Sequence, residues 1–163
     1  MPKPNLNKLR QDLIIITKNL TLRSAWGLFS PEKIDAGTAL LLDQLETKPT
    51  DVSLDLGCGY GVIGLTVAKL CPRGTVHLID KDFVAIEYTK KNAALNHLNN
   101  CKIYLSNGFD QIPKDVKFDT VISNLPAKIS QELMDIFLLD AFARLKPGGK
   151  FYVVTISGLK EYI

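Results

Sequence analysis

Apolar and polar positions change rhythm near residue 50. Before it, residues 1–11 are polar, carry two prolines and read as a loose lead-in with a short helix. Leu13 to Thr17 is a β-branched run that Lys18-Asn19 turns back into Leu20–Ala25, which predicts a β-hairpin. Pro31 at a helix start, followed by Ile34, Leu40, Leu41, Leu42 and Leu45, predicts a helix that stops before Pro49. From residue 50 onward, short apolar runs alternate with helical patterns. Strands are predicted at Val52–Leu56, Thr75–Ile79, Lys102–Leu105, Phe118–Ser123 and Phe151–Ile156. Helices are predicted at Val62–Leu70, at Asp82–Leu98 with Val84, Tyr88, Leu95 and Leu98 on one face, and at Ser130–Leu145, closed by Pro147-Gly148-Gly149. Strand–helix alternation at this spacing implies an α/β fold, a mostly parallel sheet with helices on both faces, preceded by the hairpin and helix of the N-terminal extension. Ligands of such sheets bind beyond the carboxyl ends of the strands, where strand order reverses. The residues just after each strand are therefore the ones to inspect.

Composition adds few constraints. A length of 163 residues fits one compact domain, within which residues 1–49 form the extension and residues 50–163 the core. A net charge of +3 permits an anionic partner such as RNA without demanding one. Lys81, Lys90, Lys91 and Lys128 fit either RNA phosphates or a solvated face. Cys58, Cys71 and Cys101 form no CxxC pair, and neither His77 nor His97 has a partner at metal-ligand spacing. No metal and no disulfide framework is expected, and a cytoplasmic, reducing location is the simplest inference. No run approaches the ~18 apolar residues of a membrane helix, and the start of the chain does not read as a signal peptide.

The chemistry is concentrated in Asp55-Leu56-Gly57-Cys58-Gly59-Tyr60-Gly61-Val62-Ile63-Gly64, a glycine loop between a strand and a helix. Glycines let the backbone approach a ligand closely, and the free N–H groups of the following helix point to the same place. Gly59-x-Gly61-x-x-Gly64 with Asp80 some twenty residues on also satisfies the spacing of a dinucleotide fingerprint. Asp55 argues against that reading. A carboxylate at the strand end repels a pyrophosphate and attracts a ligand with an ammonium or sulfonium group. S-adenosylmethionine (SAM) has both cations and no phosphate. Gly57, Cys58 and Gly59 then cradle the cofactor, with Cys58 packing there and not acting as a nucleophile. Asp80, ending the second core strand, suits the two ribose hydroxyls, beside Lys81, while Asp82 suits a helix cap. Asn107 either presents its amide to the adenine edge, with Gly108 making room, or belongs to an ordinary turn.

Together these residues resemble the Rossmann-like SAM-dependent methyltransferases. Over residues 27–156 the chain is most similar to the small-subunit ribosomal RNA guanine-N2 methyltransferases and their archaeal relatives. The resemblance implies that Gly27–Thr38 folds over the cofactor, with Phe29, Asp35, Gly37 and Thr38 bordering its pocket. It also aligns Ser123-Asn124-Leu125-Pro126-Ala127 with an Asn-Pro-Pro-Phe or Tyr pattern. In that pattern the Asn side chain and the next carbonyl accept hydrogen bonds from the target amino group, and the aromatic residue stacks on the base. Asn124 and Pro126 keep the frame. Leu125 and Ala127 depart from it, and loss of the stack removes ~1–3 kcal/mol of base binding unless Phe29 or Trp26 replaces it. The family also has a helix and antiparallel strands after the last core strand. Here Gly158–Ile163 reaches only the start of that helix, so the C-terminal antiparallel strands are expected to be missing, and the edge strand they would leave open is expected to be covered by a further C-terminal part of the natural protein or by a partner.

The reading is an N-methyltransferase that moves the SAM methyl to a base amino group in RNA, releasing S-adenosylhomocysteine (SAH). Its rivals are a non-catalytic SAM-binding module with a decayed target site, a methyltransferase of small molecules or proteins, and an NAD-dependent enzyme.

Overall fold

A computed structural model of the protein describes residues 12–17, 19–125 and 130–155. Its elements are β1 (Leu13–Ile16), β2 (Thr21–Ser24), α1 (Ala36–Gln44), β3 (Val52–Leu56), α2 (Val62–Leu70), β4 (Thr75–Asp80), α3 (Phe83–Leu95), β5 (Cys101–Leu105), β6 (Phe118–Asn124), α4 (Gln131–Arg144) and β7 (Leu145–Val154). β1 and β2 form the expected antiparallel hairpin, and the main sheet runs β5-β4-β3-β6-β7 with every neighbouring pair parallel. The chain steps outward from β3 to β5, then returns to the other side of β3 for β6. The reversal therefore falls between β3 and β6.

Alternation along the strands supplies both faces of the sheet. Val76, Leu78 and Ile122 pack with Leu65 and Val67 of α2, Ile86 of α3 and Leu22 of the hairpin. Leu54, Leu56, Ile79 and Val121 turn the other way, toward Ala141 of α4. The hairpin thus shares the core of the sheet. α2 lies very close to the strands, because a Cβ on Gly64 would sit 2.4 Å from Leu78 Cδ2 and 2.9 Å from Asp55 Oδ2. Gly64→Ala is expected to lower unfolding free energy by about 1–3 kcal/mol, the usual range for an overpacked core. Urea denaturation of the variant measures it.

Several predicted boundaries move, each for a physical reason. α1 begins at Ala36 and not at Pro31, because Asp35 caps it, accepting from the Gly37 and Thr38 amides at 2.9 and 3.2 Å. α3 ends at Leu95, three residues before the predicted end, and His97 follows with φ 55°. Its buried face is Ala85, Ile86, Thr89, Asn92 and Ala93, whereas Val84 and Leu95, from the predicted apolar face, are 48% and 39% exposed. Two buried polar residues occupy positions that a reading of apolar periodicity passes over. β7 starts at Leu145 and takes in Pro147-Gly148-Gly149, predicted as the stop after a helix. Phe118 pairs with Leu145 and Thr120 with Lys150, so the intervening residues bulge out of register, and an edge strand tolerates a proline there. The expectations for residues 1–11, Lys18, Pro126, Ala127, Lys128, Ile156 and Gly158–Ile163 fall outside the described residues.

Candidate cofactor and target site

The carboxyl ends of β3, β4 and β6 and the turn after β5 enclose a cavity of about 280 Å³. One wall is the glycine loop. Gly57, Gly59 and Gly61 all take left-handed φ values, 78°, 56° and 96°, which side-chain-bearing residues adopt only with strain. The loop is tied to the neighbouring strand by the Gly57 and Cys58 amides, both 2.9 Å from the Ile79 carbonyl. From below, the Thr89 hydroxyl donates to the Gly59 carbonyl at 2.8 Å and the Asn92 amide to the Tyr60 carbonyl at 2.9 Å. Asn92 also exchanges hydrogen bonds with the Arg23 backbone, so one buried side chain joins α3, the loop and the hairpin.

Asp80 stands at the end of β4 in the cavity wall. Its Oδ2 accepts from the Gly59 amide and its Oδ1 from the Asp82 amide, both at 2.9 Å. Each oxygen keeps acceptor capacity toward the cavity. Asp82 caps α3 through the Val84 and Ala85 amides, the role expected of it. Gly57, Cys58, Gly59, Lys81, Asn107, Gly108 and Thr38 also line the cavity. The Ser106 hydroxyl donates to the Gly108 carbonyl at 2.8 Å and fixes the turn that presents Asn107. Burial, with Asp55 and Asp80 adding to it, holds the Cys58 thiol well above its ordinary pKa, so it stays neutral and unreactive.

Asp55 lies one layer behind the wall. It is 1% exposed and is not among the residues lining the cavity. Its Oδ2 accepts from the Gly64 amide at 2.7 Å, whereas its Oδ1 has no hydrogen-bond partner among the described residues. Burial pushes the carboxyl up to about 7, opposed by the Gly64 bond and assisted by the Asp80 charge.

The opposite wall belongs to β6 and the segment before α1. The Asn124 amide nitrogen lies 3.1 and 3.3 Å from the two Asp35 carboxylate oxygens and 3.0 Å from the Thr38 hydroxyl. No donor among the described residues engages Asn124 Oδ1. The segment over the cavity is held by Tyr60, whose hydroxyl donates to the Ser30 carbonyl at 3.0 Å. Burial, and less strongly the Asp35 charge, push that phenol up to about 12. Phe29, Asp35 and Thr38 are in the wall as the resemblance implied; Gly37 and Trp26 are not. Phe29 is 63% exposed, an aromatic face at the rim. Sequence reasoning missed Tyr60, Thr89 and Asn92. The readable signal was two polar residues, three apart, on a helix face that is otherwise apolar.

Among the described residues no cluster of His, Cys, Asp or Glu has the grouping of a metal site, and no helix is long and apolar enough to cross a membrane.

Comparison with known proteins agrees with this geometry. The profile of the family "Methyltransferase small domain" matches residues 19–162. The uncharacterized protein YbxB of Bacillus subtilis is 31% identical over 154 residues, covering 94% of this chain and 77% of that protein. Ribosomal RNA small subunit methyltransferase C of Haemophilus influenzae is 39% identical over 146 residues, covering 87% of this chain and 43% of its own length. The T. thermophilus 16S rRNA N2 G1207 methyltransferase (RsmC), solved with AdoMet and guanosine, superposes with a TM-score of 0.77 at 25% identity, covering 94% of this chain and 44% of that one. The chain spans less than half the length of the ribosomal RNA methyltransferases it matches.

Proposed function

The chain belongs to the Methyltransferase small domain family, and from that premise we propose that it is a SAM-dependent N-methyltransferase of a base amino group in RNA, in the manner of guanine-N2 methylation of ribosomal RNA. One observation carries the reading. A single cavity joins a glycine loop and ribose-type carboxylate on one side to an Asn124 whose Oδ1 meets no donor among the described residues on the other.

The residues present fit SAM. The glycine loop offers backbone N–H groups, Asp80 offers two partly used oxygens, and the buried Asp55 has an oxygen without a partner among the described residues. When bound, SAM supplies an electrophilic methyl group on a sulfonium. Asp80 accepts from the ribose hydroxyls, Asn107 and Gly108 meet the adenine edge, and Asp55 complements the cations through the loop. Asn124 Oδ1 and the Leu125 carbonyl accept from the target amine and align its lone pair with the methyl carbon. Transfer of that methyl to the amine nitrogen would release SAH and one proton, which the site would pass to water. Pro126 keeps the place it has in the family pattern, and Phe29 takes the place of the aromatic that Ala127 lacks. An RNA substrate accords with the relatives' names, and a ribosomal RNA substrate would accord with a cytoplasmic location.

The departures at Leu125 and Ala127 favour one alternative, a SAM-binding module without turnover. Calorimetric titration of SAH, SAM and NAD, followed by transfer of tritiated methyl from SAM to unmodified small- and large-subunit ribosomal RNA transcripts, decides between them. The expected result is saturable binding of SAH and SAM, none of NAD, and label retained on guanine N2. Tight SAH binding with no label in RNA, DNA or protein fractions selects the module, and NAD binding alone removes both.

A further inference from the structure

A primary amide can sit in either of two orientations with nearly the same shape, and only its neighbours choose between them. At Asn124 three acceptors surround one end, the two Asp35 oxygens at 3.1 and 3.3 Å and the Thr38 hydroxyl at 3.0 Å. Those acceptors define that end as the NH2 group. Turned over, Asn124 would set its oxygen against a carboxylate and aim two N–H donors at a target amine that is itself a donor.

We infer that Asp35 is a positioning residue of the target site, which orients the Asn124 amide so that its oxygen faces the substrate. The inference rests on the proposed role of Asn124 as acceptor for the target amine. Helix capping does not account for the choice of residue. Capping engages one oxygen, Oδ1, with the Gly37 and Thr38 amides, a task that Ser performs about as well. Both oxygens face Asn124, Oδ1 at 3.1 Å beside its capping bonds and Oδ2, which takes no part in the cap, at 3.3 Å. Burial raises the Asp35 pKa, but hydrogen bonds from the Thr38 side chain and backbone, Asn124 and Gly37 outweigh it, and the net value lies below the usual one. The group is thus an anion under working conditions. The approach is also close. A Cβ on Gly37 would lie 3.3 Å from Asn124 Oδ1 and 2.9 Å from Val154 Cγ1, so the first turn of α1 is seated directly on the tip of β6.

Asp35→Ser separates the two roles, since serine caps α1 with a single neutral oxygen and takes the carboxylate away from Asn124. In the SAH complex, the Asn124 side-chain NH2 resonances are assigned by their absence in Asn124→Ala, and their exchange with water is then measured. Exchange at least ten times faster in Asp35→Ser, with SAH affinity and Tm close to wild type, supports the inference. With unmodified ribosomal RNA transcripts, kcat is expected to fall roughly ten- to a hundredfold with little change in KM, the scale of a misplaced reacting group. Unchanged exchange together with unchanged kcat overturns the role of Asp35. Faster exchange in Asp35→Ser alongside full activity of Asn124→Ala shows instead that Asp35 orients the amide but that Asn124 is not the acceptor, which overturns the underlying reading.

Discussion

Asn124→Ala is expected to lower methyl transfer by about 10²–10³-fold, the range for removing one oriented polar group from a reacting centre. SAH affinity is expected to stay within a few-fold of wild type. Asn124 lies across the cavity from the glycine loop and Asp80, and its amide is engaged by Asp35 and Thr38, not by the loop. Its removal therefore leaves the cofactor side intact. Folding is also little affected, because Asp35 still accepts from the Gly37 and Thr38 amides and α1 keeps its cap. Single-turnover transfer from tritiated SAM, beside calorimetry with SAH, gives both quantities. Turnover at the wild-type rate would remove Asn124 from the chemistry, and joint loss of turnover and SAH binding would make it a cofactor residue.

Asp55→Asn is expected to act on the other half of the site and to weaken SAM by about ten- to a hundredfold, the worth of a charge-assisted interaction of ~1.5–3 kcal/mol. The pH dependence is the sharper test. Burial holds the free carboxyl at about 7, and a bound cation favours the ionised form and lowers it. Binding thus expels a proton below that pH. SAM affinity should rise as pH increases toward about 7 and level off above it, while Asp55→Asn should show a flat profile. Stability of the unliganded protein moves the opposite way. The folded pKa lies above the ordinary 3.8, so the native state binds more protons between the two values. Stability from this group is full below the lower value and is lost as pH rises through the upper one. Calorimetry and thermal melts from pH 5 to 8 on both proteins test the pair. A wild-type affinity profile as flat as that of the variant would show that the Asp55 charge is not what selects the cofactor.

The β/α core was legible because each of its segments announces itself locally. Val52–Leu56 and Val62–Leu70 coincide with β3 and α2 to the residue, bounded by a glycine loop and by Pro72. Asp80 and Asp82 were separable because one ends a strand and the other precedes a helix. Other features depend on distant partners. The start of α1 follows from the Asp35 side chain, not from Pro31, and its place at the site depends on a contact 89 residues away. The inward face of α3 depends on Asn92 meeting the Arg23 and Tyr60 backbones, which no periodicity encodes. Asp55 was legible as an acid at the strand end. That it stands behind the cavity wall, facing the Gly64 amide, follows from the close seat of α2, which only the packing reveals.

The two walls of the cavity differ in how they are assembled. The wall with the glycine loop, Asp80 and Asn107 comes from one uninterrupted stretch of chain, whereas the wall with Asn124 is stitched from the tip of β6 and a segment near the N-terminus. A contact between segments close in sequence costs little loop-closure entropy, whereas one that closes a long loop costs more. On the proposed reading, nucleoside capture rests mainly on the first wall and the fit of the acceptor on the second, with the Tyr60–Ser30 bond joining the two. Changes in the covering segment that spare this bond would then act first on which nucleophile is admitted.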